Sequence, residues 1–215
     1  MYEYVTKQEV KPFKDVCRAA LKKLVSKLKE EGFSLEDAVL IGSGATNMVT
    51  RQLPYDFFDL DYNLRINKLP MEWEYNYYAL RSHIKSRLDN LLQNQTKFDF
   101  KDGRDSTSAL TYDAFDNLSK KQIFSFDLAV FVKTKSNQYM LLKLDKASGQ
   151  CILNERRDFK AQQKMASYIK KVGYANKLRD LYIHEKNTNE DQSSWMLYHA
   201  ALHQAYQLAK KKGVK

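Results

Sequence analysis

IGSGATNMVTRQLPYDFFDLDYNLRI, residues 41–66, joins a glycine turn to a run in which apolar and polar residues alternate. Alternation is typical of a β-strand, and residues i and i+2 of a strand point to the same face. Asp59 and Asp61 are therefore predicted to project side by side from one face of a sheet. Two carboxylates this close repel each other unless a positive charge lies between them. Mg2+ meets that need, because it binds carboxylates together with the phosphates of a substrate.

The glycines before this strand suit the binding of a phosphate. Residues 38–41 predict a short strand, and Gly42, Ser43 and Gly44 follow it as a turn. Glycines let the backbone approach a ligand, and successive N–H groups after such a turn can hold a phosphate. A helix beginning near residues 45–47 would add its positive N-terminal end.

Each of these motifs is common when it occurs alone. A single Gly-Ser-Gly is usually a simple turn, and a single Asp-x-Asp is usually a solvated strand face. Their combination in this order and at this spacing favours a functional site over the two simpler interpretations.

The arrangement resembles the signature of the polymerase-beta-type nucleotidyltransferase superfamily, in which Gly-Ser follows one strand and Asp-x-Asp lies on the next. The chain departs from the family pattern at two points. The gap between Ser43 and Asp59 is longer than in compact members, and Asn47 and Met48 stand where many members carry a second glycine. The carboxylates therefore support the resemblance more strongly than the glycine turn does.

The superfamily carries a third acidic residue on a later strand. Asp127 is the candidate here, because it is the one charged residue in the apolar run 123–132. An ionised carboxylate in such a run is costly to bury without a partner. It either points to solvent from an edge strand or meets a cation beside the Asp-x-Asp pair. With this residue, the resemblance covers residues 38–132, a little under half of the chain.

The resemblance implies transfer of a nucleoside monophosphate from a nucleoside triphosphate to an acceptor hydroxyl or phosphate, with release of pyrophosphate. The residues implied to act in catalysis and to bind Mg2+ or Mn2+ are Asp59, Asp61 and Asp127. Those implied to hold the β- and γ-phosphates are Gly42, Ser43 and Gly44. Two such metal ions would stabilise the attacking and leaving oxygens of an in-line displacement. Asp127 could instead serve as the general base.

Several questions of function stay open at this level. Members of the superfamily modify nucleic acids, nucleotides, small molecules and proteins, and no residue here selects among these acceptors or among the triphosphates. A catalytically silent nucleotide- or RNA-binding module of the same fold is the main alternative, since it would not need Asp127 to face the pair. A structural or interaction protein, which would bind no nucleotide, is the other.

Composition describes a basic globular chain. It has 215 residues, 43% of them hydrophobic, with a formal net charge of +10 and a pI near 9.4. A basic surface attracts nucleic acids and nucleotides alike.

Cys17 and Cys151 lack the spacing of a zinc site or a disulfide framework. No run is apolar enough for a membrane span, and the first ten residues lack a secretory core, so we expect a cytoplasmic protein that does not bind membranes. The oligomeric state is not predicted.

The remaining pattern predicts the other elements. A helix over residues 11–31, with Pro12 in its first turn and Gly32 as its stop, carries a regular apolar stripe that includes Cys17. A second helix is predicted over residues 72–93 and antiparallel sheet over residues 97–132. Within that sheet, one strand is predicted over residues 108–112, followed by a solvated polar loop that contains Asp113 and Asp116. Residues 138–144 and 150–153 predict a hairpin. Helices follow from Asp158. The first is predicted to stop at Gly173 and the second to span residues 176–185, and after a polar loop over residues 186–191 the last is capped by Ser193 or Ser194.

These elements predict an α+β fold. We expect a small mixed or antiparallel nucleotidyltransferase sheet with helices packed on one face, followed by a C-terminal helical subdomain. The predicted domains are residues 1–155, the catalytic part, and residues 156–215, the helical part. The acidic cluster should lie on the floor of a cleft that the helical part closes on one side.

Overall fold

The computed structural model describes residues 1–55, 57–95, 97–155 and 160–211 of the chain. The strands are β1 Tyr2–Tyr4, β2 Ser34–Leu35, β3 Val39–Ile41, β4 Thr50–Gln52, β5 Phe58–Lys68, β6 Asp99–Phe100, β7 Arg104–Asp105, β8 Leu110–Phe115, β9 Gln122–Lys133, β10 Tyr139–Asp145 and β11 Gln150–Asn154. The helices are α1 Lys7–Glu30, α2 Gly42–Thr46, α3 Tyr77–Gln93, α4 Lys160–Lys171, α5 Ala175–Thr188 and α6 Ser194–Lys211, and a 3₁₀ turn spans Met71–Trp73.

The elements group into two compact units. One unit contains α1 to α3 and the strands of the main sheet. The other contains α4 to α6 together with two short segments from the first quarter of the chain, Met1–Tyr4 and Thr50–Tyr55. The domain border predicted at 155/156 falls beside residues 156–159, which lie outside the described residues, and that division stays a prediction.

The main sheet has nine strands within the described part of the chain and is mixed, as the sequence predicts. Its centre is the pair β5 and β9, which run parallel to each other. The far edge of β9 is shared by β8 and β10, and the far edge of β5 is shared by β2 and β3, all antiparallel. The two longest strands are thus flanked on both sides.

One face of the sheet forms the core with α1 and α3. The alternate residues of β5 and β9 that face the helices are buried: Phe58, Leu60, Tyr62, Leu64, Ile66, Phe124, Phe126, Leu128, Val130 and Val132. Cys17 on α1 is fully buried in the same core, as its place in the apolar stripe predicts. The α+β architecture with helices on one face of the sheet is therefore confirmed.

Helix α1 begins earlier than predicted. Thr6 caps it, because its hydroxyl accepts the Glu9 N–H at 3.2 Å while the Glu9 carboxylate accepts the Thr6 N–H at 2.9 Å. This capping box provides partners for backbone N–H groups at the start of the helix. The helix therefore begins at Lys7, four residues before the predicted start at residue 11, and Pro12 lies inside it. Gly32 follows the last turn at φ +88°, as expected of a helix stop.

Two further boundaries differ from the prediction. Helix α3 begins only at Tyr77, because the Asn76 side chain caps it by accepting the Ala79 N–H at 3.3 Å. Strand β8 continues to Phe115, because the alternation of buried residues extends through Ala114. Asp113, expected in a solvated loop, therefore belongs to the sheet.

The hairpin formed by β10 and β11 is confirmed. The strands β1, β2, β4, β6 and β7 are two or three residues long, too short for any periodicity to predict.

The unit that contains the C-terminal helices also contains the β1–β4 pair. Helix α4 ends before Gly173, at φ +71°, as predicted, whereas Asp158 lies outside the described residues. Ser193 caps α6 by accepting the Met196 N–H at 3.3 Å. Helix α5 extends to Thr188, into a stretch expected to be a loop. No helix of the described segments has the length and apolarity needed to cross a membrane.

Candidate active site

The register of β5 and β9 places the three predicted acidic residues on one face. Asp61 lies directly opposite Asp127, and Asp59 lies directly opposite Ser125. Directly paired residues of neighbouring strands point to the same side of a sheet. All three carboxylates therefore project from the face opposite the hydrophobic core.

Asp127 does not lie on an edge strand. Strand β9 has β5 on one side and β8 on the other at this level, where Asp127 pairs with Thr111. The Thr111 hydroxyl donates to Asp127 Oδ1 at 2.6 Å, and the Asp127 side chain is half-buried. Of the two interpretations, the one in which this carboxylate turns to solvent from a sheet edge is wrong.

Asp59 is the more exposed member of the group and also accepts a hydroxyl hydrogen bond, which Ser125 donates to its Oδ1. Neither hydroxyl residue was predicted from the sequence. Ser125 lies two residues before Asp127 on the same strand, so the period of two was sufficient to find it. Thr111 is visible only in the register of β8 against β9.

The three carboxylates are close enough to perturb one another. Burial raises the pKa of Asp61 to about 6, and the charges of Asp127 and Asp59 act in the same direction. Burial also raises the pKa of Asp127, against the opposing effect of the hydrogen bond from Thr111. A site with these properties binds a proton or a cation more readily than an isolated carboxylate does.

The glycine turn lies against this group. Gly42 begins α2 at φ +60°, and a Cβ built there would lie 2.9 Å from Asp61 Oδ2. Helix α2 thus begins at Gly42 rather than near Ala45. The first N–H groups of a helix have no partner within it, and those of α2 follow Gly42, which lies beside Asp61.

Gly44 has a different local reason to be glycine. A Cβ at this position would lie 2.8 Å from Leu40 Cδ1 and 3.1 Å from Leu60 Cδ2. The residue is buried, so it lets α2 pack closely on β3 and β5. Its carbonyl accepts a 2.6 Å hydrogen bond from the ammonium of Lys14 on α1, a contact that the sequence did not suggest. Burial lowers the pKa of that lysine.

A cation lies on the far side of Asp127. Arg104 pairs with Thr111 across β7 and β8, and its guanidinium is 2.7 Å from the carboxylate of Asp113. Its positive charge opposes the rise in the pKa of Asp127. The polar face therefore runs from Asp61 through Asp127 and Thr111 to Arg104.

The donor set suits a hard divalent cation, since carboxylates that repel one another are stabilised by a charge between them. Among the residues that the structure describes, however, no group of three or more His, Cys, Asp or Glu side chains meets the geometry of a metal centre. The three carboxylates therefore lie together without forming a closed ligand shell.

A scan of family models found no match to this sequence, and a search of curated proteins found none either. Solved structures do match. CdnC of Escherichia coli MS115-1, solved with ATP, is 16% identical at a TM-score of 0.51 over 91% of this chain. DncV of Escherichia coli, solved with 3'-deoxy GTP, is 11% identical at a TM-score of 0.56 over 93% of this chain. DncV of Vibrio cholerae, solved with GTP, is 14% identical at a TM-score of 0.53 over 80% of this chain.

The chain has a nucleotidyltransferase fold. The similarity is one of fold, and it agrees with the mixed sheet and the helices packed on one of its faces. The chain spans 59% of the CdnC chain, 45% of the Vibrio cholerae DncV chain and 68% of the Escherichia coli DncV chain.

The polar face brings carboxylates and the start of α2 together. Carboxylates can hold a metal ion, and free backbone N–H groups can hold a phosphate. The face opposite the core leaves both kinds of group accessible, whereas the core face carries the buried apolar residues.

Proposed function

We propose that this protein is a metal-dependent nucleotidyltransferase, which moves a nucleoside monophosphate from a nucleoside triphosphate to an acceptor and releases pyrophosphate. One observation carries the proposal: Asp61 and Asp127 face each other on the two central parallel strands, with Gly42 against the Asp61 carboxylate. Acidic residues that only contact solvent are not expected to lie opposite one another on two strands that each have a neighbouring strand on both sides.

The residues proposed to bind Mg2+ or Mn2+ are Asp59, Asp61 and Asp127. The bound metal would neutralise charge on the triphosphate and lower the pKa of the acceptor hydroxyl. Gly42 and Ser43 would receive the β- and γ-phosphates through backbone N–H groups and the serine hydroxyl, with Gly44 holding the turn against the sheet. In the alternative role, Asp127 would act as the general base that accepts the proton of the acceptor, and the rise of its pKa on burial supports that role.

A nucleotide is the first acceptor to test. One of the similar structures is described as the Vibrio cholerae DncV cyclic AMP-GMP synthase in complex with the linear intermediate 5' pppA(3',5')pG, with a TM-score of 0.52 and 14% identity. That protein joins two nucleotides, and this chain shares its fold. Nucleic acids, small molecules and proteins are the other acceptor classes in the superfamily.

The test is to incubate the protein with each labelled nucleoside triphosphate and Mg2+ or Mn2+, alone and with candidate acceptors. We expect metal-dependent release of pyrophosphate and a new labelled product. Neither should form with a chelator present. If no triphosphate yields pyrophosphate with any acceptor class in either metal, the proposal is wrong.

A silent nucleotide-binding module is the second candidate. It is favoured by one observation: among the described residues, no group of three or more His, Cys, Asp or Glu side chains meets the geometry of a metal centre. Such a module would bind triphosphates without turnover, and Asp127→Asn would leave that binding unchanged.

A further inference from the structure

The same contact occurs twice on the polar face. Ser125 donates its hydroxyl to Asp59 Oδ1, and Thr111 donates its hydroxyl to Asp127 Oδ1 at 2.6 Å. In both cases the hydroxyl residue lies directly opposite the aspartate in the register of the neighbouring strand. The β5–β9 pair and the β8–β9 pair thus each place a hydroxyl against an aspartate carboxylate.

This contact restricts the rotation of an aspartate carboxylate. The terminal torsion of its side chain, χ2, is broad, so a carboxylate without partners presents either oxygen in many orientations. A hydroxyl held on the next strand engages one oxygen and so limits the rotation of the carboxylate. Asp61 lacks such a contact in the described structure and lies against the backbone of Gly42 instead.

We propose that Thr111 and Ser125 are positioning residues that orient the carboxylates of Asp127 and Asp59 toward a shared divalent cation. The proposal rests on the proposed function, because it assigns these two hydroxyls to the same site. Neither residue touches the reacting groups. Each acts through the aspartate that it holds.

Thr111 is well placed to act in this way, because its own position is rigid. Its neighbours on β8, Leu110 and Tyr112, are fully buried in the core. Its β-branched side chain restricts χ1, so the hydroxyl keeps its direction. The orientation of Asp127 is therefore linked to the packing of the core.

The segment before β8 is also held from α3. Arg81, only 2% exposed, donates through Nη2 to the carbonyl oxygens of Ser106 and Ala109 at 2.9 and 2.7 Å, and through Nε to Asp105 at 2.7 Å. A buried guanidinium that binds three points of one segment limits its movement. The segment that leads into Thr111 is therefore held in place by α3.

The test uses Thr111→Val, which removes the hydroxyl with little change of shape, and Thr111→Ser, which keeps it. Ser125→Ala is the corresponding change at the second contact. Thr134→Val is the matched control, because that hydroxyl donates to the Gln138 carbonyl at 3.1 Å in an exposed turn. The primary readout is Mn2+ binding by calorimetry without nucleotide, and turnover is the second.

We expect Thr111→Val and Ser125→Ala each to weaken Mn2+ binding by roughly 10- to 100-fold, the usual effect of removing a group that orients a metal ligand. Thr111→Ser should recover most of this loss, and Thr134→Val should bind Mn2+ like the wild type. Thermal melts should show every variant folded. In an Asp127→Asn background, Thr111→Val should have no further effect, since it acts through that carboxylate.

The proposal is overturned if Thr111→Val binds Mn2+ like the wild type, if Thr111→Ser fails to recover binding, or if the wild type binds no Mn2+. The proposed function fails separately, when Mn2+ binds but no triphosphate is turned over. In that case the change in Mn2+ affinity still decides whether the hydroxyls position the carboxylates.

Discussion

Asp61 is the residue at which burial and charge act in the same direction. Its pKa is raised from 3.8 to about 6 by burial and by the neighbouring charges of Asp127 and Asp59. The folded state therefore binds a proton more tightly than the unfolded chain. Its contribution to the free energy of unfolding is present near pH 4 and is lost as the pH rises through about 6.

The first prediction follows from this shift. In the absence of metal, Asp61→Asn should raise the free energy of unfolding at about pH 8, by on the order of 2 kcal/mol, because it removes an ionised group that the folded state disfavours. It should also flatten the decline in stability between about pH 4 and pH 6. Urea unfolding across this range, with a chelator present, measures both effects.

Asp116→Asn is the control for that experiment. Backbone hydrogen bonds from Ser119 lower the pKa of Asp116, so its ionised form is favoured in the folded state. The variant should not gain stability at high pH. If Asp61→Asn shows the same pH slope as the wild type, the rise in the pKa of Asp61 is absent.

The second prediction concerns Asp127. Replacing it with Asn keeps the size and removes the charge, so the metal-dependent release of pyrophosphate should fall on the order of 100-fold or more. The melting temperature should not drop, because the substitution removes a charge that is unfavourable on a half-buried side chain near other carboxylates. Asp116→Asn again serves as the control and should turn over normally. If the Asp127→Asn variant keeps its activity, Asp127 is not essential to the proposed site and the prediction is wrong.

The third prediction concerns the phosphate turn. Ser43→Ala should weaken triphosphate binding by roughly 10- to 150-fold, because one hydrogen bond to a charged group contributes about 1.5–3 kcal/mol. Calorimetry with a non-hydrolysable triphosphate measures the change. Thr134→Val is the control for loss of a hydroxyl elsewhere. Unchanged affinity would show that this hydroxyl does not contact the phosphates.

At the level of secondary structure elements, α2 is the element that joins the phosphate turn to the sheet. Its contact with β3 and β5 depends on Gly44, where a side chain would meet Leu40 and Leu60. The glycine motif therefore has a packing role as well as a proposed binding role.

The fourth prediction tests that packing role. Gly44→Ala should lower the free energy of unfolding by about 1–3 kcal/mol, the usual cost of overpacking a core. Ala45→Ser, at an exposed neighbour, should leave it unchanged within about 0.5 kcal/mol. Urea unfolding compares the two variants. A fully stable Gly44→Ala protein would show that α2 can move away from the sheet without cost.

At the scale of the whole molecule, the net charge of +10 predicts attraction to polyanions. Our fifth prediction is that single-stranded RNA binds without sequence preference at low salt and that its affinity falls steeply as salt increases, because binding releases counterions. Fluorescence anisotropy at a series of salt concentrations gives the slope. If no RNA or DNA binds even at low salt, a polynucleotide acceptor is excluded, and nucleotides, small molecules and proteins remain as acceptors.

Local patterns in the sequence predict the elements well where they are long. The apolar stripe of α1 and the alternation of β5 are repeated over many residues, so each predicts which face enters the core. The same period of two was enough to place Asp59 and Asp61 on one face. Boundaries were less predictable, because a capping box at Thr6 or a cap at Asn76 depends on a few atoms.

The sequence alone predicted the α+β class, the strand that carries Asp59 and Asp61, and the glycine turn before it, because these follow from local periodicity. Only the tertiary structure could show that Asp127 lies opposite Asp61, with Thr111 on its other side. Partners so far apart in the chain meet through the register of β5, β8 and β9. That register is set by how the buried faces of these strands pack against α1 and α3, and no local pattern in the sequence encodes it.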